Sequence, residues 1–317
     1  MMTQDERLAG APEAPEKRRD DRRAFFAAAA GAVAIGAGAF VFSDPVAAQT
    51  ITEADVLNLA LNLEYLQANY YAYASAGAGL GTADTQSGAA TPTPGGAIIA
   101  GHQATFTDPL VAAYAKEMAA DQLAQVRFLR TQLGVAAVAQ PVIDLGFAAT
   151  SAFSVMAQNA GLVGAGAVFD PYASDANFLL GAFFLQDVAV SAYQGVIQLI
   201  SSKNYQEAAG GLMATEAYHA ALVRTTLYQK NLITQAQAIS DYRDSIDGGS
   251  DDDQGITPVA SGAGPVANIA PVDGNANTFP RASGPVLNIL FLNRASVKTG
   301  GFFPGGVNGN ITTSAAS

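Results

Sequence analysis

Glu216 and His219, three positions apart, are where this chain could do chemistry. On a helix that spacing is about one turn, so both side chains leave the same face. The rest of that face is apolar: Leu212, Met213, Ala220, Val223 and Leu227. A carboxylate and an imidazole on a buried stripe are costly unless they are hydrogen-bonded or hold a metal ion. The chain has only two histidines, so one is committed here. The pattern alone leaves two readings open, a core His–Glu pair or part of a metal ligand set. Similar polar breaks recur elsewhere: Glu64 amid Leu57, Leu61 and Ala68; Gln122 and Gln125 amid Met118, Val126 and Leu129; and Gln186 amid Phe183, Val190 and Tyr193.

Each break needs a helix to carry it inward. Thr52 with Asp55 three residues on reads as a capping box, and predicts a first helix to about Ser75. Asp108-Pro109 reads as an N-cap followed by proline at the first helical position, with Gly134 as the stop. That second stripe runs from Leu110 through Val111 and Tyr114 to Leu133. Asp170-Pro171 or Ser174 opens a third helix through Ile197, and a short turn at 202–204 leads into the fourth. A long connection, 135–172, separates the second helix from the third and carries a short helix near 151–159. Residues 76–107, rich in Gly, Ala, Thr and Pro, read as a loop, with His102 as a surface or loop-packing residue. Asp121 and Asp187 lie one residue off their stripes, about 100° round the helix, and are expected to be solvated or to cap, with a substitute ligand role as the alternative. The predicted architecture is all-α, a four-helix bundle with one long crossover, and its four central polar breaks share one level.

Several separated motifs, in order, carry a resemblance. Asn58–Tyr71 (NLALNLEYLQANYY), Val126–Arg130 (VRFLR), Ala214–His219 (ATEAYH) and Gly300–Gly309 (GGFFPGGVNG) resemble exported ferritin-like proteins related to the plant desiccation proteins. The resemblance covers about residues 50 to 310. It implies a di-metal pattern in which two helices each give a Glu and the other two each give Glu-x-x-His. Glu64 matches the first Glu, and Glu216 with His219 matches the fourth helix's pair. Gln122 and Gln125 stand where Glu and His would be implied, and Gln186 where a Glu would be. Three of six ligand positions are thus neutral amides, which cannot bridge two cations as carboxylates do. The expected cofactor is either none or one divalent ion (Mn, Fe or Zn) on Glu64, Glu216 and His219. In the first case Gln122, Gln125 and Gln186 would satisfy the carboxylates and imidazole by hydrogen bonds, and the expected role is structural or stress-protective, with no catalysis. In the second the protein is a metal-binding or redox protein.

Composition narrows the alternatives. With no Cys, disulfides, thiol nucleophiles and thiolate metal sites are excluded. A net charge of −11 over 317 residues argues against nucleic acid as a partner. No nucleophilic triad or phosphate-binding loop is present in the sequence.

The two ends read separately. Residues 1–48 have a basic region, an Ala/Gly-rich apolar run and small residues at Val46-Ala47-Ala48, which is a secretory signal. Arg22-Arg23-Ala24-Phe25-Phe26 resembles a twin-arginine core, with Asp21 where Ser or Thr is commoner. The expected location is periplasmic or secreted, after folded export. A retained anchor over 27–42 is the alternative, disfavoured by its Ala and Gly content, and no stable membrane span is expected after cleavage. Residues 49–247 form the predicted bundle and 248–317 a linker and docking tail. Asp251-Asp252-Asp253 reads as solvated linker. Val286–Leu292 and Phe302-Phe303 must dock on the bundle or on a partner, which leaves a homo-oligomer through the tail open.

Overall fold

The computed structural model describes residues 51–249, 252–260 and 264–317; the signal expected in residues 1–48 and Asp251 lie outside them. Four long helices build the bundle: α1 (Glu53–Ala76), α3 (Pro109–Leu133), α5 (Asp175–Ile197) and α6 (Lys203–Gln229). A single turn, α2 (Thr82–Thr85), follows α1. The crossover between α3 and α5 carries α4 (Ala152–Asn159). Two residues of that crossover, β2 (Ile143–Asp144), pair in parallel with β1 (Ile98–Ile99), which fastens the 77–108 loop to it. Two further helices, α7 (Ile233–Asp247) and α8 (Ser283–Phe291), lie outside the bundle proper.

The expected start signals are present as geometry. Thr52 and Asp55 bond each other's backbone N–H in a complete capping box. Asp108 caps α3 ahead of Pro109, and Ser174, rather than Asp170, caps α5. In the loop His102 packs as expected, its Nε2 2.9 Å from Asp170 and its ring edge-on to Phe147.

α1 packs along α3 and α5 along α6, while α1 and α5 meet at the centre. Those two central helices are buried on nearly every face. Their sequences show why, since polar residues are few and the asparagines of α1 find backbone partners. On α1, Asn62 donates to the Asn308 carbonyl and accepts from the Asn308 N–H. Asn58 clasps Ala136 and Val138 in the same two-way manner, and Asn69 holds Gln140 and Leu80. One side of α1 thus reads loop, crossover and tail by their amides. By length and hydropathy α5 alone among the described helices could cross a membrane, but 89% of that stretch is buried inside the bundle. α3 and α6 each bury one face and expose the other. Leu110, expected on the buried stripe of α3, is 50% exposed, whereas Val111 beside it is fully buried.

The tail packs on the chain's own bundle. α8 lies against α7 and α5. Phe302 is fully buried between Phe153 of the crossover and Phe184 of α5, with ring centroids 4.8 and 5.5 Å away. Gly195 on α5 is required for this approach, since a Cβ there would stand 1.9 Å from the Arg281 carbonyl oxygen.

Two expectations are corrected by what joins the tail to the bundle. Asp187 is neither solvated nor a cap. α7 and the tail cover that side of α5, and Asp187 Oδ2 accepts from Arg224 Nη1 at 2.8 Å and Arg243 Nη2 at 2.9 Å. Asp253 is likewise buried, paired with Arg243 at 2.8 Å and with Arg281. Arg281 also reaches Asp247 at 2.5 Å. Both Arg224 and Arg243 lie over the ring of Phe183, 5.4 and 4.8 Å from its centroid. Three buried arginines and three aspartates therefore tie α5, α6, α7 and the tail into one register.

Burial pushes the Asp247 carboxyl up to about 6, against the pull of Arg281 and with the charge of Asp253 adding to the rise. A folded-state value above the ordinary 3.8 means that the folded chain binds this proton more tightly than the unfolded chain. Its contribution to stability is therefore full below about pH 4 and is lost as pH rises to about 6. Thermal unfolding against pH should show the wild type losing stability relative to Asp247→Asn across that window, with a constant difference above it. A constant difference throughout the window overturns the assignment.

Candidate functional site

All six expected site residues lie on the inward faces of the four bundle helices, and all are buried. Gln122 on α3 and Gln186 on α5 converge on Glu216 of α6. Gln122 Nε2 donates to Glu216 Oε1 at 2.6 Å, and Gln186 Nε2 donates to Oε2 at 2.8 Å. Tyr71 on α1 donates its hydroxyl to Gln186 Oε1 at 2.9 Å. That bond fixes the amide, because with its oxygen held by Tyr71 only the NH2 can face Glu216.

Glu64 occupies the other half of the centre. Tyr193 of α5 donates its hydroxyl to Glu64 Oε1 at 2.5 Å. Burial, with the Glu216 charge adding, holds the Glu64 carboxyl well above the ordinary carboxylate range. A proton on Glu64 therefore sits on Oε2, the oxygen that Tyr193 does not use. Glu216 is also raised by burial, against the lowering effect of His219 and of the Gln186 amide. The Tyr71 and Tyr193 hydroxyls are pushed far up by burial, so both act as neutral donors.

His219 links this interior to the surface. Its Nε2 is 3.2 Å from Oδ2 of Asp121, whose side chain is 38% exposed. A carboxylate can only accept, so Nε2 carries a hydrogen, and Nδ1 turns inward toward Glu216 Oε1, 4.0 Å away. Asp121, expected to be solvated or to cap, is only half solvated and orients His219.

The hydrogen-bond network expected of the three glutamines is half formed. Glu216 has a donor on each oxygen. Glu64 Oε2, His219 Nδ1, Gln122 Oε1 and both amide atoms of Gln125 and Gln67 are buried with no partner. Each atom of that kind costs about 1–3 kcal/mol if left unmatched, so the centre holds unspent polar capacity. Gln67 was legible, since it stands three residues after Glu64, the spacing that singled out Glu216 and His219. The tyrosines had no such signal, because Tyr71 and Tyr193 read as ordinary members of apolar stripes.

A model of the ferritin-like domain matches residues 52–229, more than half of the chain. The chain belongs to the ferritin-like domain family. Two characterised relatives extend the likeness beyond the bundle. The desiccation-related protein PCC13-62 of Craterostigma plantagineum is 26% identical over 243 residues, which span 73% of this chain and 74% of that one. The ferritin-like catalase Nec2 of Nesocodon mauritianus is 23% identical over 274 residues, 81% of this chain and 84% of that one. No solved structure matches significantly.

The side chains present do not fit the pair of metal ions that the ferritin-like pattern implies. Such a pair draws on four carboxylates and two imidazoles, whereas this centre offers two carboxylates and one imidazole. Both Glu216 oxygens already face amide N–H groups, whose positive ends oppose a cation. Among the described residues no three Asp, Glu or His side chains are gathered closely enough to form a metal-holding group.

Proposed function

We propose that this is an exported ferritin-like protein in which a hydrogen-bonded polar centre replaces the di-metal cluster, and that its role is structural or stress-protective rather than catalytic. The observation that carries this reading is the double capping of Glu216 by Gln122 and Gln186. With those donors Glu216 is held in the core without a cation. With Glu64 protonated, the second carboxyl needs none either. The desiccation-related name of the Craterostigma relative agrees with a protective role. The signal read in residues 1–48 supports action outside the cytoplasm, in the periplasm or the medium.

A second reading is favoured by two atoms. Glu64 Oε2 and His219 Nδ1 are buried and unpartnered, and Glu216, one turn before His219 on α6, has its Oε1 4.0 Å from Nδ1. Glu64, Glu216 and His219 would together offer one Mn, Fe or Zn ion a donor set of mixed hardness that suits those metals. The catalase named for the Nesocodon relative belongs with this reading, since peroxide chemistry needs a redox centre.

Metal analysis separates the two. The purified full chain is loaded in turn with Mn(II), Fe(II) and Zn(II), desalted and assayed for bound metal. The expected result is well below one ion per chain, unchanged in His219→Ala. One ion per chain that disappears in His219→Ala overturns the metal-free reading and establishes the second.

A further inference from the structure

We propose that His102 and Asp170 form a pH-operated clasp on segment 100–103, closed while the imidazole carries both protons and released when it loses one, so that water reaches Tyr172. The clasp lies outside the polar centre, and its action does not depend on whether that centre holds metal.

The segment is a strap between two anchors. On its N-terminal side β1 is paired with β2. On its C-terminal side the Ala104 N–H donates to the Ala74 carbonyl at 3.0 Å and the Thr105 N–H to the Tyr172 carbonyl at 2.9 Å. Among the described residues no backbone–backbone hydrogen bond holds residues 100–103 themselves. Side chains do so instead: Gln103 Nε2 donates to the Ser75 carbonyl at 3.2 Å, and His102 reaches Asp170. Beneath the strap lies Tyr172. Gly101 rests so close to its ring that a Cβ there would stand 2.3 Å from Cζ and 2.5 Å from the hydroxyl oxygen. That hydroxyl is buried with no partner, so the strap keeps water from a group that water would satisfy. Tyr172 is also the outer member of a run of rings. It lies 5.6 Å from Tyr70, which lies 5.2 Å from Tyr71, the residue that fixes the Gln186 amide.

The imidazole needs its charge to make both of its bonds. Nε2 faces Asp170 Oδ2 at 2.9 Å, and Nδ1 faces the Gln103 carbonyl oxygen at 2.9 Å. A carboxylate and a carbonyl only accept, and a neutral imidazole has one N–H, so the imidazolium alone satisfies the two. Loss of a proton sets a ring lone pair against one of the two oxygens. Burial disfavours the charge, but the Asp170 bond, the Gln103 carbonyl and the Asp170 charge outweigh it and hold His102 above its ordinary 6.5. The clasp's contribution is therefore full below about pH 6.5 and is lost as pH rises through the folded-state value. The ring is partly exposed, so solvent exchanges its protons. The other titratable groups around the strap are turned elsewhere. Asp144 accepts from the N–H groups of Gly146 and Ala152, and Asp175 from those of Thr107 and Asp108. Burial pushes the Tyr172 hydroxyl far up, with Tyr73 acting on Tyr172. Asp170 is the charge that acts on His102 among the described residues.

Proton NMR of the full chain tests the clasp. The His102 ring is followed by its titration, and the Gly101 amide and Tyr172 ring by their broadening from a neutral gadolinium chelate in the solvent. His102 is expected to titrate above 6.5. Its midpoint should fall by about half a unit or more in Asp170→Asn, which keeps the Tyr172 N–H bond to Oδ1. Gly101 and Tyr172 should broaden at least about twofold more at about pH 9 than at about pH 5. In His102→Gln, which cannot titrate, the two conditions should broaden them equally. A wild-type midpoint at or below 6.5, or wild-type broadening that does not change with pH, overturns the proposal with no variant needed. A midpoint unmoved in Asp170→Asn, or a pH-dependent broadening that persists in His102→Gln, overturns it as well.

Discussion

Asp187→Ala is expected to lower the unfolding free energy by about 3–5 kcal/mol, the range for stripping one partner from a buried ion pair. The size follows from what is left behind. Arg224 and Arg243 are both fully buried, and both spend a guanidinium nitrogen on the same carboxylate oxygen. Remove it and Arg224 loses its ion-pair partner while facing, over the Phe183 ring, Arg243, which keeps Asp253. The remaining hydrogen bonds of Arg224, to carbonyls of Gln254, Gly255, Asn268 and Ile269, do not neutralise charge. A built-in comparison is the pair formed by Arg127 and Asp84 at 2.8 Å, where the arginine side chain is 60% exposed. Asp84→Ala should cost no more than about 1 kcal/mol, because solvent screens such a pair. Urea unfolding of both variants at neutral pH measures the contrast. If Asp187→Ala costs no more than Asp84→Ala, Arg224 has solvent or a charge partner that the structure does not give it.

That network marks the limit of what the sequence revealed. The four bundle helices were legible because their signals are local: Thr52 with Asp55, Asp108 with Pro109, and Ser174 before an apolar run. The six inward positions were legible because three- and four-residue spacing survives on any helix. Asp187 was misread because its fate depends on Arg243 and on Asp253, 56 and 66 residues further along the chain. Nothing local distinguishes a solvated Asp-rich linker from one whose last carboxylate is buried against two arginines. A fainter signal did exist. Arg243 sits on a helix face otherwise made of Ile239, Tyr242 and Ile246, and Arg224 follows Val223 on the inward side of α6, so each cation was already aimed at the core. The interior of the site shows the same division. Spacing placed Gln122, Gln186 and Glu216 together, but the tyrosine that fixes the Gln186 amide comes from a different helix and could not be read from periodicity.

Restoring the ligand positions tests the reading of the centre most severely. Gln122→Glu, Gln125→His and Gln186→Glu together should convert a metal-indifferent bundle into one that depends on metal. Without metal the triple variant is expected to be less stable than the wild type at pH 7 and above. Four carboxylates would then share one buried level, and Glu216 would face like charge where it now accepts two amide hydrogens. Tyr71 keeps an acceptor either way, so the loss should reflect electrostatics rather than a broken contact. Added Mn(II) or Fe(II) should reverse the loss, with two ions bound per chain. At a free concentration one hundred times the dissociation constant, binding contributes about 2.7 kcal/mol for each independent site. The wild type should show no shift under the same conditions, since its amides supply the neutrality that the metals would otherwise provide. A triple variant that folds yet takes up no metal means that the glutamines do not occupy the ligand positions. An equal metal-dependent shift in the wild type means that Glu64, Glu216 and His219 suffice for an ion, and that the centre has kept a metal in spite of its amides.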